Sequence, residues 1–292
     1  MNAQQTSQDD DKTGDALKAQ RFQMLEDIAN ELAGEVVFPT YFDAVLRLRK
    51  VLHDPDQPLS AIAGAVAVEP LISAKLLHLA NSAAFNPAGH EVVDLQSAIA
   101  RLGVNAVRST AMAIVMTQLL RAKGMAEYSH LTEMLWDHSI RTAAGARVIA
   151  RRMTRINPEE AMLAGLIHDL GAFYMLYRAT QYEELRNRPD SVKYLIIQWH
   201  ESIGVSLLGA LGLPEEIIKA TEDHDRLRPP PSPPRTLTDV VYVANMLAGG
   251  HFEWTMQDNP MNPEDQEALD NAYAELKPEI EAQLADMRNC FT

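Results

Sequence analysis

The run NAVRSTAMAIVMTQLL, residues 105–120, constrains the fold most. It is apolar around almost its whole circumference when wound as a helix, so most of its faces must be covered by other parts of the chain. A segment of this kind is expected to form the bridge between two halves of the molecule. On either side of it, apolar residues recur at spacings of three and four, the period of packed helices. Strand-like alternation is not sustained anywhere. GEVVFPT (34–40) is the nearest candidate, and it is short and meets Pro39.

The punctuation is helical too. Pro70 suits the first turn of a helix running into AKLLHLANSAAF, and Gly103 closes VVDLQSAIARLG. LTEMLWDHSIRTAAGARVIARRM reads as one long helix. Asn157 and Pro158 suit the cap and first position of NPEEAMLAGLIHDLGAFYML. WHESIGVSLLGALG stops at Gly212, and Pro214 opens PEEIIKATEDH. The prolines of 228–234 exclude regular helix and predict a stiff exposed loop. TLTDVVYVANMLAGG then resumes helix. In the tail, Leu269, Leu276, Ile280, Leu284 and Met287 form a stripe that should pack on the body, with an interruption at Pro278.

These signals predict an all-α protein of two helical modules. The expected division is a disordered acidic segment at 1–18, an N-terminal helical module at 19–125, a second bundle at 126–250 and a helical tail at 251–292. The formal net charge of -14 argues against general nucleic-acid binding, which needs a basic surface. One cysteine, Cys290, excludes a disulfide framework. No apolar run approaches the roughly 20 residues of a membrane span, and the N-terminus has no signal-peptide core. A cytoplasmic protein without membrane association is therefore expected.

A histidine informs only in company. In the second half, His138, the pair His168–Asp169, His200, the pair Asp223–His224, and Asp239 with Asn245 fall on five consecutive predicted helices. A bundle can aim side chains from facing helices at one point. Imidazole with carboxylate suits a divalent metal such as Fe, Mn, Zn, Co or Mg. The plainer alternative is a set of core histidines satisfied by hydrogen bonds, with His224 solvated among charges. His53, His78, His90, His130 and His251 show no such pattern and read as structural or surface groups.

Taken together, the chain resembles the HDOD family, the HD-related output domain of bacterial signalling proteins. That family lies within the HD superfamily of metal-dependent phosphohydrolases. The resemblance rests on LSAIAGAVAVEPLISAKLLHLANSAAF, LQSAIARLGVNAVRSTAM, MLWDHSIRTAAGARVIA, EEAMLAGLIHDLGAF and WHESIGVSLLGALGLPEEIIKA, in that order. It covers about residues 33–250 and implies that the second module is an HD-like bundle. By position it makes His138 similar to the first metal-ligand histidine. It makes His168–Asp169 similar to the HD doublet, and His200 to the histidine that precedes Gly204. Asp223–His224 falls where related phosphodiesterases carry two adjacent histidines. Asn245 falls where catalytic relatives carry the last aspartate, and Asp239 is a less apt substitute on another helix face. Asp169 would be the catalytic group if the protein is an enzyme.

Two departures bear on activity. Asn245 offers a carbonyl oxygen but no charge, and Ala172 stands where phosphodiesterases of the GYP type carry a lysine. Cleavage of cyclic di-GMP is therefore not expected. The resemblance implies a signal-transduction output protein acting through a protein partner or a ligand, with a metal-dependent phosphohydrolase acting on a nucleotide or other phosphoester as the alternative. Arg147, Arg151 and Arg155, spaced by four, form a row on one helix. They are either an anion surface for a phosphate or nucleotide ligand, or a solvated face balancing an acidic protein; Arg108, Arg141 and Arg152 could extend it.

Overall fold

The structure, a computed structural model, describes residues 15–33, 43–54, 56–255, 258 and 261–291. All its regular elements are helical, and no strand occurs among the described residues. The candidate strand at 34–40 and residues 1–14 of the expected disordered segment lie outside the described residues.

The first module contains α2 (Asp43–His53), α3 (Leu59–Ala67), α4 (Pro70–Asn81), α5 (Leu95–Leu102) and α6 (Val104–Leu120). Local chemistry sets these ends. Pro70 occupies the first turn of α4, and the Asp94 carboxylate accepts from Ser97 N to cap α5. Gly103 turns the chain into α6 at φ 84, a value that favours glycine. Eleven residues of α6 are buried, as its composition demands. It packs against α2, α4 and α5 of its own module.

The second module begins with a 3-10 turn at Met125–Tyr128 and continues as α7 (Ser129–Met153), α8 (Pro158–Ile167) and α9 (Leu170–Ala179). Next come α10 (Glu183–Arg186), α11 (Pro189–Ala210), α12 (Glu215–Ala220), α13 (Leu237–Leu247) and α14 (Gly250–Thr255). α7 lies against α8 and α13, and α9 against α11. From the first module, α6 reaches α8 and α9, so it is the bridge, and one hydrophobic core runs through both modules. The tail forms α15 (Pro263–Ala272) and α16 (Lys277–Phe291) around a 3-10 turn at Ala274–Leu276. The interruption falls one step before Pro278, which sits in the first turn of α16. Leu269, Leu284 and Met287 are buried, and α16 lies on α7 and α4.

One helix departs from the expected division. α1 (Asp15–Ala33) starts inside the segment 1–18 and packs on α10 and α11 of the second module. Polar side chains fix it there. Tyr182 Oη donates to Asp27 at 2.5 Å, Tyr174 Oη donates to Glu31 at 2.8 Å, and Arg178 pairs with Glu31. The loop 228–234 is irregular, as its prolines require, and two phenols hold it. Tyr242 Oη donates to Arg228 O at 2.6 Å, and Tyr273 Oη donates to Pro231 O at 3.1 Å. No single described helix is long and apolar enough to cross a membrane.

Candidate metal centre

HDLG was expected inside one helix, and the chain breaks there instead. α8 ends at Ile167, His168 and Asp169 form a corner, and α9 starts at Leu170. Consecutive residues of an unbroken helix leave its axis about 100° apart. The corner lets both face inward. It also drives α9 into contact with α11. A Cβ at Gly171 would stand 2.0 Å from His200 O and 2.7 Å from Gly204 N, so the approach needs glycine.

The structure brings together His138 from α7, the His168–Asp169 corner, His200 from α11, and His224 from the turn after α12. All five residues are buried. His138 Nε2 lies 3.2 Å from His168 Nε2, and His200 Nε2 lies 3.3 Å from His224 Nε2. Asp169 stands between the two pairs. Its Oδ2 is 3.3 Å from His168 and 3.8 Å from His138. Its Oδ1 is 3.3 Å from His200 and 3.2 Å from His224.

The other nitrogen of each ring contacts a backbone carbonyl. Nδ1 of His168, His200 and His224 lies 2.8, 2.7 and 2.8 Å from Gly165 O, Ile196 O and Thr221 O, and His138 Nδ1 lies 3.3 Å from Ala248 O. A carbonyl only accepts, so each Nδ1 must carry the hydrogen. Each neutral ring then presents an unprotonated Nε2 to its neighbours. Four acceptor nitrogens around one carboxylate cannot donate to one another. They call for added protons or a cation.

Electrostatics agrees with that tension. Burial pulls the His168 imidazole down to about 3, against the pull of Asp169. Burial also opposes charge on His224, but Asp225 and Asp169 outweigh it and push the ring up to about 10. Burial works against the Asp169 carboxylate as well, yet His168, His224 and His200 hold it well below the usual carboxylate range.

The structure also redraws the expected set. PEEIIKATEDH does not stay helical to its end: α12 stops at Ala220, and Asp223 takes φ 52, a left-handed value that aspartate tolerates. Asp223 is exposed and stands outside the cluster. The turn it makes directs His224 and the next residue, Asp225, inward. Asp225 Oδ2 lies 3.2 Å from His200 Nε2 and 3.0 Å from His251 Nδ1. Sequence reasoning passed over both Asp225 and His251. The string DHD offers two carboxylates beside one histidine, and only the turn says which faces in. Asn245 is fully buried beside this loop, and its Nδ2 donates to His224 O and Asp225 Oδ1, both at 2.9 Å. Asp239 lies elsewhere, capping α13 with its side chain on the Thr236 and Arg235 amides.

Two groups of side chains have the arrangement of a metal site: His138, His168 and Asp169, and Asp169, His200, His224 and Asp225. Asp169 belongs to both. These clusters can chelate a divalent cation. The buried Asn245 Oδ1 lies beside this cluster without a hydrogen-bond donor.

The arginine row has different partners. Arg147 is buried, its Nε donates to Glu159 at 2.9 Å, it bonds Gln283, and its guanidinium lies 4.0 Å over the Phe85 ring. Arg151 pairs with Glu279. Their charges are matched within the chain, and Arg155 stands exposed.

A model of the family described as HDOD domain matches residues 38–227. Among solved structures, the chain is similar to a proposed metal-dependent phosphohydrolase from Shewanella amazonensis, with 19% identity and a TM-score of 0.69, over 94% of this chain and 100% of that one. It is similar to an HDOD domain protein of unknown function from Geobacter sulfurreducens, with 21% identity and a TM-score of 0.59, over 92% and 97%. A proposed signal transduction protein from Marinobacter aquaeolei has 19% identity and a TM-score of 0.54, over 92% of this chain and 66% of that one. At these identities the likeness is one of fold. No curated protein sequence matches the chain.

Proposed function

The chain belongs to the HDOD domain family, and from that premise we propose that it is a signalling-class protein whose buried cluster is a metal-dependent phosphohydrolase centre acting on a phosphoester. One observation carries this reading: four imidazoles set Nδ1 against backbone carbonyls and turn Nε2 inward around a shared carboxylate. Backbone carbonyls fixing metal-ligand histidines in this way are a recurrent device.

His138 and His168 would hold a cation on the Oδ2 side of Asp169, and His200, His224 and Asp225 would hold one on the Oδ1 side. A set this rich in imidazole favours Fe, Zn, Co or Mn over Mg, which prefers oxygen. A divalent cation there would supply Lewis acidity toward a phosphoryl oxygen and a nucleophile at neutral pH. The chain's own contribution is to orient the rings, bridge the two halves through Asp169 and keep bulk water out. Asp225 and His251 keep 11% and 12% of their side-chain surface exposed, against 0–2% for the four inner histidines, so a phosphoester would approach from their side.

The test is metal analysis of protein purified without chelators, followed by hydrolysis of bis(p-nitrophenyl) phosphate with added Fe, Mn, Co or Zn. Bound metal and turnover, both lost in His168→Ala, are expected. Protein that takes up none of these metals would end the reading. The depth of the histidines favours a second reading, in which the bound metal or ligand sets a signal-output state recognised by a protein partner, without turnover. Stoichiometric metal with no hydrolysis of any nucleotide or phosphoester tested would decide for it.

A further inference from the structure

Asn245 was expected to be a depleted ligand, an amide standing where charge is needed. Its contacts assign it another task. The Asn245 amide makes two donations, to His224 O and to Asp225 Oδ1, each at 2.9 Å. Both acceptors belong to the short turn that follows α12. Glu201 adds a third tie to that turn, accepting from Asp225 N at 3.1 Å. With Oδ1 bound to the amide, Asp225 turns Oδ2 toward His200 and His251. The turn itself has no helical frame to hold it, since α12 ends at Ala220.

We infer that Asp225 supplies the outer carboxylate of the metal cluster and that Asn245 is its positioning residue, so that an amide at 245 is required rather than tolerated. The inference rests on the metal reading proposed above. Its chemistry is specific. A carboxylate at 245 has no hydrogen to donate, and it would set negative oxygen against both Asp225 Oδ1 and His224 O. Adding a charge at 245 would therefore weaken the centre, although formal charge counting alone predicts the opposite. Exchanging the two side chains should undo the harm, because an amide at 225 could donate to a carboxylate at 245 across the same gap.

The experiment compares wild type, Asn245→Asp, Asp225→Asn and the double exchange that carries both substitutions. Two readouts are used: Mn or Zn affinity, from titration against a competing chromophoric chelator, and the thermal midpoint in a chelator. Loss of an outer-shell partner of a metal ligand typically costs about 10–100-fold in affinity. Asn245→Asp is expected to bind metal about 10–100-fold more weakly and to melt below wild type in the chelator. Asp225→Asn should also bind more weakly, and the double exchange should recover much of both losses. Asn245→Asp binding as tightly as wild type or tighter would overturn the inference, as would a double exchange no better than either single variant. Wild type that binds no metal would instead sink the metal reading and Asp225's role as ligand with it. The midpoints in the chelator would then still show whether Asn245 positions Asp225.

Discussion

Two sites along α7 face the same problem, a polar group buried against a neighbouring helix, and solve it in opposite ways. Near its middle, His138 meets His168 with two like nitrogens 3.2 Å apart. Toward its C-terminus, Arg147 meets Glu159 at 2.9 Å, Gln283 and the face of Phe85. At the arginine site a cation meets a carboxylate, an amide oxygen and an aromatic face, although Glu159 Oε2 and Gln283 Nε2 are left without a hydrogen-bond partner. At the histidine site four Nε2 atoms instead crowd around the carboxylate of Asp169, a set that added protons or a cation can hold together. The difference separates a structural polar cluster from a binding site better than burial does, since both are buried.

That contrast can be broken in graded ways. The largest expected effect comes from chelation: a cation at about a thousandfold above its dissociation constant stabilises the native state by about 4 kcal/mol. Calorimetry before and after a chelator should show a lower midpoint, and an unchanged one would mean that the histidines satisfy one another. Arg147→Met comes next. It leaves Glu159 and Gln283 without their partner and should cost about 3 kcal/mol in urea unfolding, with metal content unchanged.

Gly171→Ala should be smaller in stability, about 2 kcal/mol by the usual cost of overpacking, but it strikes the corner itself and so should lower metal content as well. Arg151→Ala, at an exposed pair with Glu279, should cost less than about 1 kcal/mol, and that loss should shrink in high salt. The smallest effect is one of pH. Burial pushes the Asp137 carboxyl up, but Arg288 from the tail and Arg141 outweigh it and hold the group below 3.8. A carboxylate with a lowered folded value adds stability above its unfolded value and loses it as pH falls through the folded one. Arg288→Ala should therefore narrow the stability difference between about pH 5 and about pH 3 in urea titrations.

Much of this architecture can be read along the chain. Gly103, Asn157 and Pro158 mark helix ends because capping involves residues only a few positions apart. The all-round apolar character of 105–120 announces a covered central helix for an equally local reason. His138, His168, Asp169, His200 and His224 were each legible as candidates, since the order and spacing of their motifs survive without knowledge of the fold.

Direction is what the string of residues left open. Whether Asp223 or Asp225 faces inward depends on one left-handed residue in a turn. Whether His168 and Asp169 can share a target depends on the break between α8 and α9, whose approach to α11 Gly171 permits. Arg147 and Arg151 looked like a free basic row because Gln283 and Glu279 lie more than a hundred residues away. Helix existence and the capped helix ends are short-range chemistry, so the sequence determined them, whereas the breaks after Ile167 and Ala220 were not legible in it. Which side chains meet is set by packing between distant segments, and only the tertiary structure decided that.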